Sequence, residues 1–308
     1  MSEIGIGMAA LGRPEYINIR QDKNIDKSET AFKENALKVL DLAYARGIRF
    51  FDTAPSYGKG EAFLKDWDYL RNHSDAVLST KWGYTYVANW QLGYNGSHEI
   101  KEHSIEKLLE QWEVSKVLIS KLKVYQIHSA TLESGVLEND DVLNALAKIK
   151  KDTGVKIGLT VSGANQSSII ERAINCEVEG VHLFDSFQVT FNVFEQSTFE
   201  LLVALKKMGK FVIIKEGLAN GRVFLSESNV LKMLSEKYNV GVDAIALRFC
   251  MDAVLPDVVL SGAANEAQLE QNLKVNTFQL AIDEIDALKA LKVSSSDYWS
   301  ERSELNWD

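Results

Sequence analysis

The sequence predicts an α/β fold: a single (β/α)8 barrel with long loops at its C-terminal face and an extra C-terminal helix. Three observations predict it. Short apolar runs recur at IGIGMAAL, GIRFFDTA, AVLSTKWG, VYQIHSA, KIGLTVSG, GVHLFDSFQV, KFVIIKEG and DVVLSGAA. They are mostly continuous rather than alternating, as strands of a parallel sheet buried on both faces should read. Amphipathic stretches lie between them, and eight strand–helix units are the count that closes a barrel. An open doubly wound sheet is the rival, but no GxGxxG turn follows the first run.

The helical stretches carry their own signals. ENALKVLDLAYARG sets Leu37, Leu40 and Tyr44 on one face and stops at Gly47. SIEKLLEQW places Ile105, Leu108, Leu109 and Trp112 at helical spacing behind a candidate cap, Ser104. DDVLNALAKIKKDTG repeats the device with Val142, Leu146 and Ile149 and closes at Gly154. Further helical patterns cover 166–175, 197–208, 228–250 and 266–275, and a last one, 283–292, follows the final strand. The longest irregular stretches, 13–31 and 83–103, read as functional loops. No linker or composition shift divides the 308 residues, so 1–308 is read as one domain.

Composition narrows the function. Hydrophobic residues make up 46% and charged residues 25%, ordinary for a soluble globular protein. The net charge of −9, with no basic block, argues against a nucleic-acid partner. Two cysteines, Cys176 and Cys250, suggest a reducing compartment rather than a disulfide framework. No apolar run reaches the ~20 residues that span a bilayer. The start, MSEIGIGMAALG, lacks a signal peptide's basic opening and long apolar stretch. The expectation is a cytoplasmic protein, monomeric or a small homo-oligomer, with no membrane partner.

In a parallel barrel the site lies where strands end. The second strand delivers Asp52 and, a loop later, Tyr57; the third Lys81, the fourth His128, the sixth Gln188. Singly, each has a plainer reading: Asp52 as a turn cap, Tyr57 as packing, Lys81 as a stem over Trp82, His128 as a core histidine. Together they make a proton-transfer site. A free phenol has a pKa near ~10, and a lysine cation beside it favours the phenolate. A carboxylate fixes the lysine, and an imidazole orients the substrate oxygen. Tyr57 is then expected to be a general acid for an oxygen that becomes alkoxide-like. No His/Cys/Asp cluster has metal-ligand spacing, so no metal is expected.

FDTAPSYGKGE, LSTKWG and YQIHSA resemble the signature regions of the aldo-keto reductase superfamily, and the likeness extends over nearly the whole chain. The resemblance implies a TIM barrel and an NAD(P)H-dependent oxidoreductase that reduces aldehydes or ketones to alcohols. It assigns Tyr57 as proton donor, Lys81 and Asp52 as the pair that tunes it, and His128 as the orienting residue. Gln188, with Thr160 and Ser162, matches contacts to the nicotinamide carboxamide. Leu218, Ala219, Gly221 and Arg222 of KEGLANGR match the pyrophosphate stretch; Lys215 and Glu216 are less typical there. Ser261, Gly262, Gln268 and Asn272 fall in the adenosine region after strand eight. That region lacks the arginine or lysine that many relatives use for the 2′-phosphate. NADP(H) is favoured by resemblance and weakened by this departure, with NAD(H) the alternative.

Trp82 and Tyr84 are the expected substrate-pocket residues. The aromatic residues Tyr86, Trp90, Tyr94, Tyr298, Trp299 and Trp307 either line a pocket for a sugar or apolar carbonyl or pin loops to the barrel. Three other functions compete. One is the same enzyme run as an aldose or alcohol dehydrogenase. Another is a non-catalytic cofactor-sensing subunit of this fold. The last is a Schiff-base aldolase on Lys81, which Asp52 opposes by favouring the charged ammonium.

Overall fold

Eight parallel strands close into a barrel in chain order: β1 Glu3–Gly7, β2 Phe50–Asp52, β3 Val77–Trp82, β4 Leu122–Ala130, β5 Lys156–Val161, β6 Ser186–Thr190, β7 Phe211–Lys215 and β8 Val258–Ser261. The computed structural model describes residues 2–17, 19 and 25–306. Strand β8 returns to β1, with Ile4 opposite Val259 and Ile6 opposite Ser261. The continuous apolar runs suit this position, because each strand has the barrel interior on one face and helices on the other.

Helices Glu29–Ala45, Gly60–Arg71, Ile105–Ser115, Asp140–Thr153, Gln166–Ile174, Phe199–Lys207, Val242–Val254 and Glu266–Leu273 lie along the chain between and after the strands. Ser28, Ser104 and Asn139 cap three of them by accepting from the amides of Ala31, Lys107 and Val142. Leu108 is buried as expected, but Leu109 is 49% exposed at the edge of the apolar stripe.

Four expectations change. The pattern over 228–250 is two helices, Asn229–Tyr238 and Val242–Val254, because Asn239 takes a left-handed cap and Gly241 starts the second. The run GVHLFDSFQV splits into the second arm of a small antiparallel hairpin, Val181–His182 paired with Glu177–Val178, and then β6; His182 is exposed. The stretch 83–103 holds a hairpin of Tyr84–Tyr86 with Glu99–Lys101. Beyond helix Ile282–Lys289, the aromatic tail forms a further helix, Ser295–Ser303, with Tyr298 fully buried. Trp307 lies outside the described residues. No helix among the described residues is long and apolar enough to cross a membrane.

Candidate active site

Strand ends carry a buried polar cluster inside the barrel mouth. Asp52 and Lys81 are almost wholly buried, and the Lys81 ammonium donates to Asp52 Oδ2. It also donates to the Thr53 carbonyl at 3.0 Å. The other carboxylate oxygen of Asp52 accepts from Gln188 Nε2 at 3.1 Å and from Gln126 Nε2 at 3.3 Å. Four strands thereby converge on one carboxylate. A buried charge needs this density of partners, since burial without them costs several kcal/mol, on the order of 3–5, when one partner is missing.

Tyr57 reaches the cluster from the loop after β2. Its backbone is held by a 3.0 Å bond from its amide to the Ala54 carbonyl and a 2.8 Å bond from Gly60 to its own carbonyl. The Lys81 ammonium lies 4.6 Å from the centre of the Tyr57 ring. The expected acidification of Tyr57 is not what this geometry gives. Burial pushes the phenol well above its ordinary pKa, and the charges of Asp52 and Glu99 push the same way. Arg13 opposes them. Lys81 is itself paired with Asp52.

His128 sits at a distortion near the end of β4. Register with β5 shifts between Ile127 and Ala130, and Ser129 adopts a left-handed φ of 48°. The Ser129 amide donates to Thr160 Oγ1 at 2.7 Å, which holds the distorted backbone. The His128 ring stands edge-on to Tyr57, 5.5 Å between centres, and 4.8 Å from Tyr84. Its Nδ1 is 3.2 Å from the Ser56 hydroxyl. Burial and the Lys81 and Lys215 cations push its pKa well down, so the ring is neutral. His103 donates from Nε2 to the His128 carbonyl at 2.9 Å.

A cavity of about 990 Å³ runs from these residues across the end of the barrel to β8 and the residues that follow it. Asp52, Tyr57, His128, Thr160, Ser162, Gln188, Leu218, Gly221, Ser261, Gly262, Gln268 and Asn272 all lie on its wall. A cavity at the upper end of the usual 300–1,000 Å³ range suits a large ligand such as a dinucleotide. At the β8 end Ser261 Oγ donates to Asn272 Oδ1, and Asn272 Nδ2 donates to Asp243, each at 2.8 Å. Asn265 caps the following helix by accepting from the Gln268 amide at 2.9 Å.

Four sequence-predicted residues lie elsewhere. Trp82 is fully buried and off the cavity wall, because β3 turns its side chain into the apolar core. Tyr84 is also off the wall, its ring tilted against that of His128. Ala219 is buried beneath the loop after β7. Arg222 is absent from the wall and bonds Glu301 at 3.1 Å and the Tyr298 carbonyl at 3.3 Å, with its guanidinium 4.0 Å from the Tyr298 ring.

The cavity also gathers residues that motif reading passes over. Tyr16 comes from the loop after β1, Glu99 from the hairpin after β3, Asp243 from a helix start and Arg302 from the C-terminal helix. Lys215 and Glu216, singled out only as unusual, are on the wall too. Glu99 is paired with the buried Arg13 at 2.7 Å, and Arg302 with Glu216 at 3.4 Å. Gln126 was detectable: it lies two residues before His128 on the same strand, hence on the same face.

Comparisons with known proteins agree with this architecture. A model of the aldo/keto reductase family matches residues 3–293. The oxidoreductase YqkF of Bacillus subtilis (strain 168), itself uncharacterised, is 24% identical over 319 positions, covering 94% of this chain and 92% of that protein. The aldo-keto reductase str7 of Strobilurus tenacellus is 22% identical, covering 96% and 90%. Among solved structures, the holo form of an aldo-keto reductase from Bacillus halodurans superposes with a TM-score of 0.69 at 19% identity, covering 95% and 92%. A point mutant of the protein Gox0644, solved in complex with NADPH, gives 0.65 at 20%, covering 94% and 89%. The chain belongs to the aldo/keto reductase family and is an NAD(P)H-dependent oxidoreductase.

Proposed function

We propose that this enzyme works as a carbonyl reductase, converting an aldehyde or ketone to an alcohol at Tyr57. The observation that carries this reading is the placement of Tyr57 on the cavity wall, its ring 4.6 Å from the Lys81 ammonium that Asp52 holds. A phenol in this setting is fully protonated at neutral pH. Reduction needs that proton on the donor, whereas alcohol oxidation needs the phenolate as base.

The proposed division of labour follows from the distances. Tyr57 holds the proton that the nascent alkoxide takes, and an alkoxide is basic enough to remove it from even a weakened acid. Asp52 anchors Lys81, whose ammonium lies under the ring. His128, neutral and edge-on to Tyr57, positions the carbonyl oxygen. Thr160, Ser162 and Gln188 border the nicotinamide, Leu218 and Gly221 the pyrophosphate, and Ser261, Gly262, Gln268 and Asn272 the adenosine. When bound, the nicotinamide supplies the hydride.

Two finer readings follow. At the adenosine end the described wall carries the carboxylates of Asp26 and Asp243 and no lysine or arginine. This supports NAD(H) over NADP(H), since a phosphate without a cation forgoes a contact worth ~1.5–3 kcal/mol. Above Tyr57 the wall carries Tyr16, Glu99, Glu216 and Arg302. Such a lining favours a hydroxylated carbonyl over an apolar one.

The test is oxidation of NADH and NADPH against a panel of aldehydes, aldoses and ketones by the wild type and Tyr57→Phe. Expected are turnover with NADH on polar carbonyls and loss of ~10²–10⁴ in rate in the variant, with cofactor binding retained. Near-normal rates in the variant remove Tyr57 from the chemistry.

A further inference from the structure

Lys215, the last residue of β7, is the only lysine on the cavity wall among the described residues. Its Nζ donates to Ser162 Oγ and Thr190 Oγ1, both at 2.8 Å. Ser162 follows β5 and Thr190 ends β6, two residues beyond Gln188. This is the patch proposed above for the nicotinamide. The ammonium therefore stands at the reacting end of the cofactor and not along the pyrophosphate.

The Lys215 ammonium makes its short bonds to neutral hydroxyls and not to a carboxylate. Asp52 on β2 is matched by Lys81 on β3. His128 on β4 is neutral. Glu216 lies 3.8 Å from Lys215 and is shared with Arg302 of the C-terminal helix. Glu216 thus meets Lys215 only at the long end of ion-pair range. Burial lowers the Lys215 pKa to about 8, with Glu216 opposing, so the ammonium persists at neutral pH and fades above it.

We propose that Lys215 selects the redox state of the bound cofactor, its ammonium repelling the cationic oxidised nicotinamide while leaving the neutral reduced ring unaffected. The inference rests on the proposed cofactor site. It gives the reductase a way to fill with reduced dinucleotide where the oxidised form is in excess, and to release the oxidised product.

The test is equilibrium binding of NAD+, NADH, NADP+ and NADPH, by calorimetry, to the wild type, K215M and K215R at pH 7. The wild type is expected to bind the reduced member of its preferred pair more tightly. K215M is expected to tighten the oxidised form by about tenfold relative to the reduced one, a modest share of the interaction of two charges in a partly solvated site. K215R, which keeps the charge, retains the wild-type ratio. In the wild type the reduced-form preference shrinks as pH rises from 7 through about 8 to 9.5.

A mere strut between β5, β6 and β7 predicts a lower melting temperature in K215M with the ratio unchanged, and that result overturns the proposal. Should K215M fail to fold, the wild-type pH series decides: a preference constant across it overturns the proposal equally. If the wild type binds none of the four dinucleotides, the cofactor site itself is wrong, and this is distinguishable because no ratio exists to measure.

Discussion

A β-carbon placed on Gly12 would lie 2.2 Å from the carbonyl oxygen of Tyr57. The backbone after β1 and the loop that carries the candidate proton donor are thus in direct contact, and the Lys59 amide donates to the Gly12 carbonyl at 2.9 Å. Any side chain at position 12 must push the Tyr57 loop outward. Gly12→Ala is expected to cut turnover by about 100-fold, the usual order for a displacement near 1 Å in a reacting group. Affinity for the reduced cofactor should fall much less, because its proposed binding residues lie on other loops. Steady-state kinetics beside direct binding measures the split; equal losses in both would show that the contact serves general stability.

The raised phenol pKa sets the direction of the pH response. A group whose proton is held more tightly in the folded enzyme keeps its acid form to higher pH. Reduction is therefore expected to show no alkaline fall attributable to Tyr57 up to about pH 10, the ordinary phenol value. Oxidation of the corresponding alcohol should climb with pH over the same range, as the phenolate becomes accessible. Rates measured in both directions from pH 6 to 10 check this. A reductive rate that drops near pH 7–8 with a solvent isotope effect would point to a phenol acidified by Lys81 after all.

Asp52 and Lys81 form a buried pair whose members are not separable. Asp52→Asn leaves the ammonium among neutral amides, and Lys81→Met leaves the carboxylate with only Gln126 and Gln188. Each single change is expected to destabilise by about 3–5 kcal/mol, and the double change by much less than the sum. Urea denaturation of the three variants measures the coupling. Additive losses would show that the two charges act independently.

How much of this was legible in the sequence follows from where each residue stands. Asp52, Lys81, His128 and Gln188 are at or near strand ends, and a parallel barrel sends those ends to one face whatever the loops do. Lys215 obeys the same rule and needed only to be taken at its position. Glu99, Tyr16 and Arg302 reach the cavity through the folding of a hairpin and a loop and the docking of a tail helix, and no local period encodes such contacts. Trp82 reads like a pocket residue beside Lys81, yet adjacent strand residues face opposite sides, which sends it to the core. The upward push on the Tyr57 phenol has a related cause. Sequence reveals the neighbouring lysine, but not that the lysine is already spent on Asp52 or how deeply the phenol is covered.

His103 offers a check on the packing behind His128. Its Nε2 must carry the proton, since it donates to the His128 carbonyl, and its buried Nδ1 has no hydrogen-bond partner. A β-carbon on Gly83 would lie 2.2 Å from the ring, so the imidazole cannot retreat. Protonating Nδ1 would bury an unpaired charge near Lys101, and the pKa falls to about 4, mainly through burial. Because the folded value lies below the unfolded one, near ~6.5, the unfolded chain takes up the proton first on acidification. The stability that neutral His103 contributes is complete above pH ~6.5 and is lost as pH falls toward about 4. His128, also held neutral, adds to the same loss. His103→Gln, which keeps an N–H for the His128 carbonyl and does not titrate, is expected to lose less stability than the wild type between pH 7 and 4.5. Urea midpoints at those two pH values measure it; the same drop in both proteins would mean that His103 already shares its proton with solvent in the folded state.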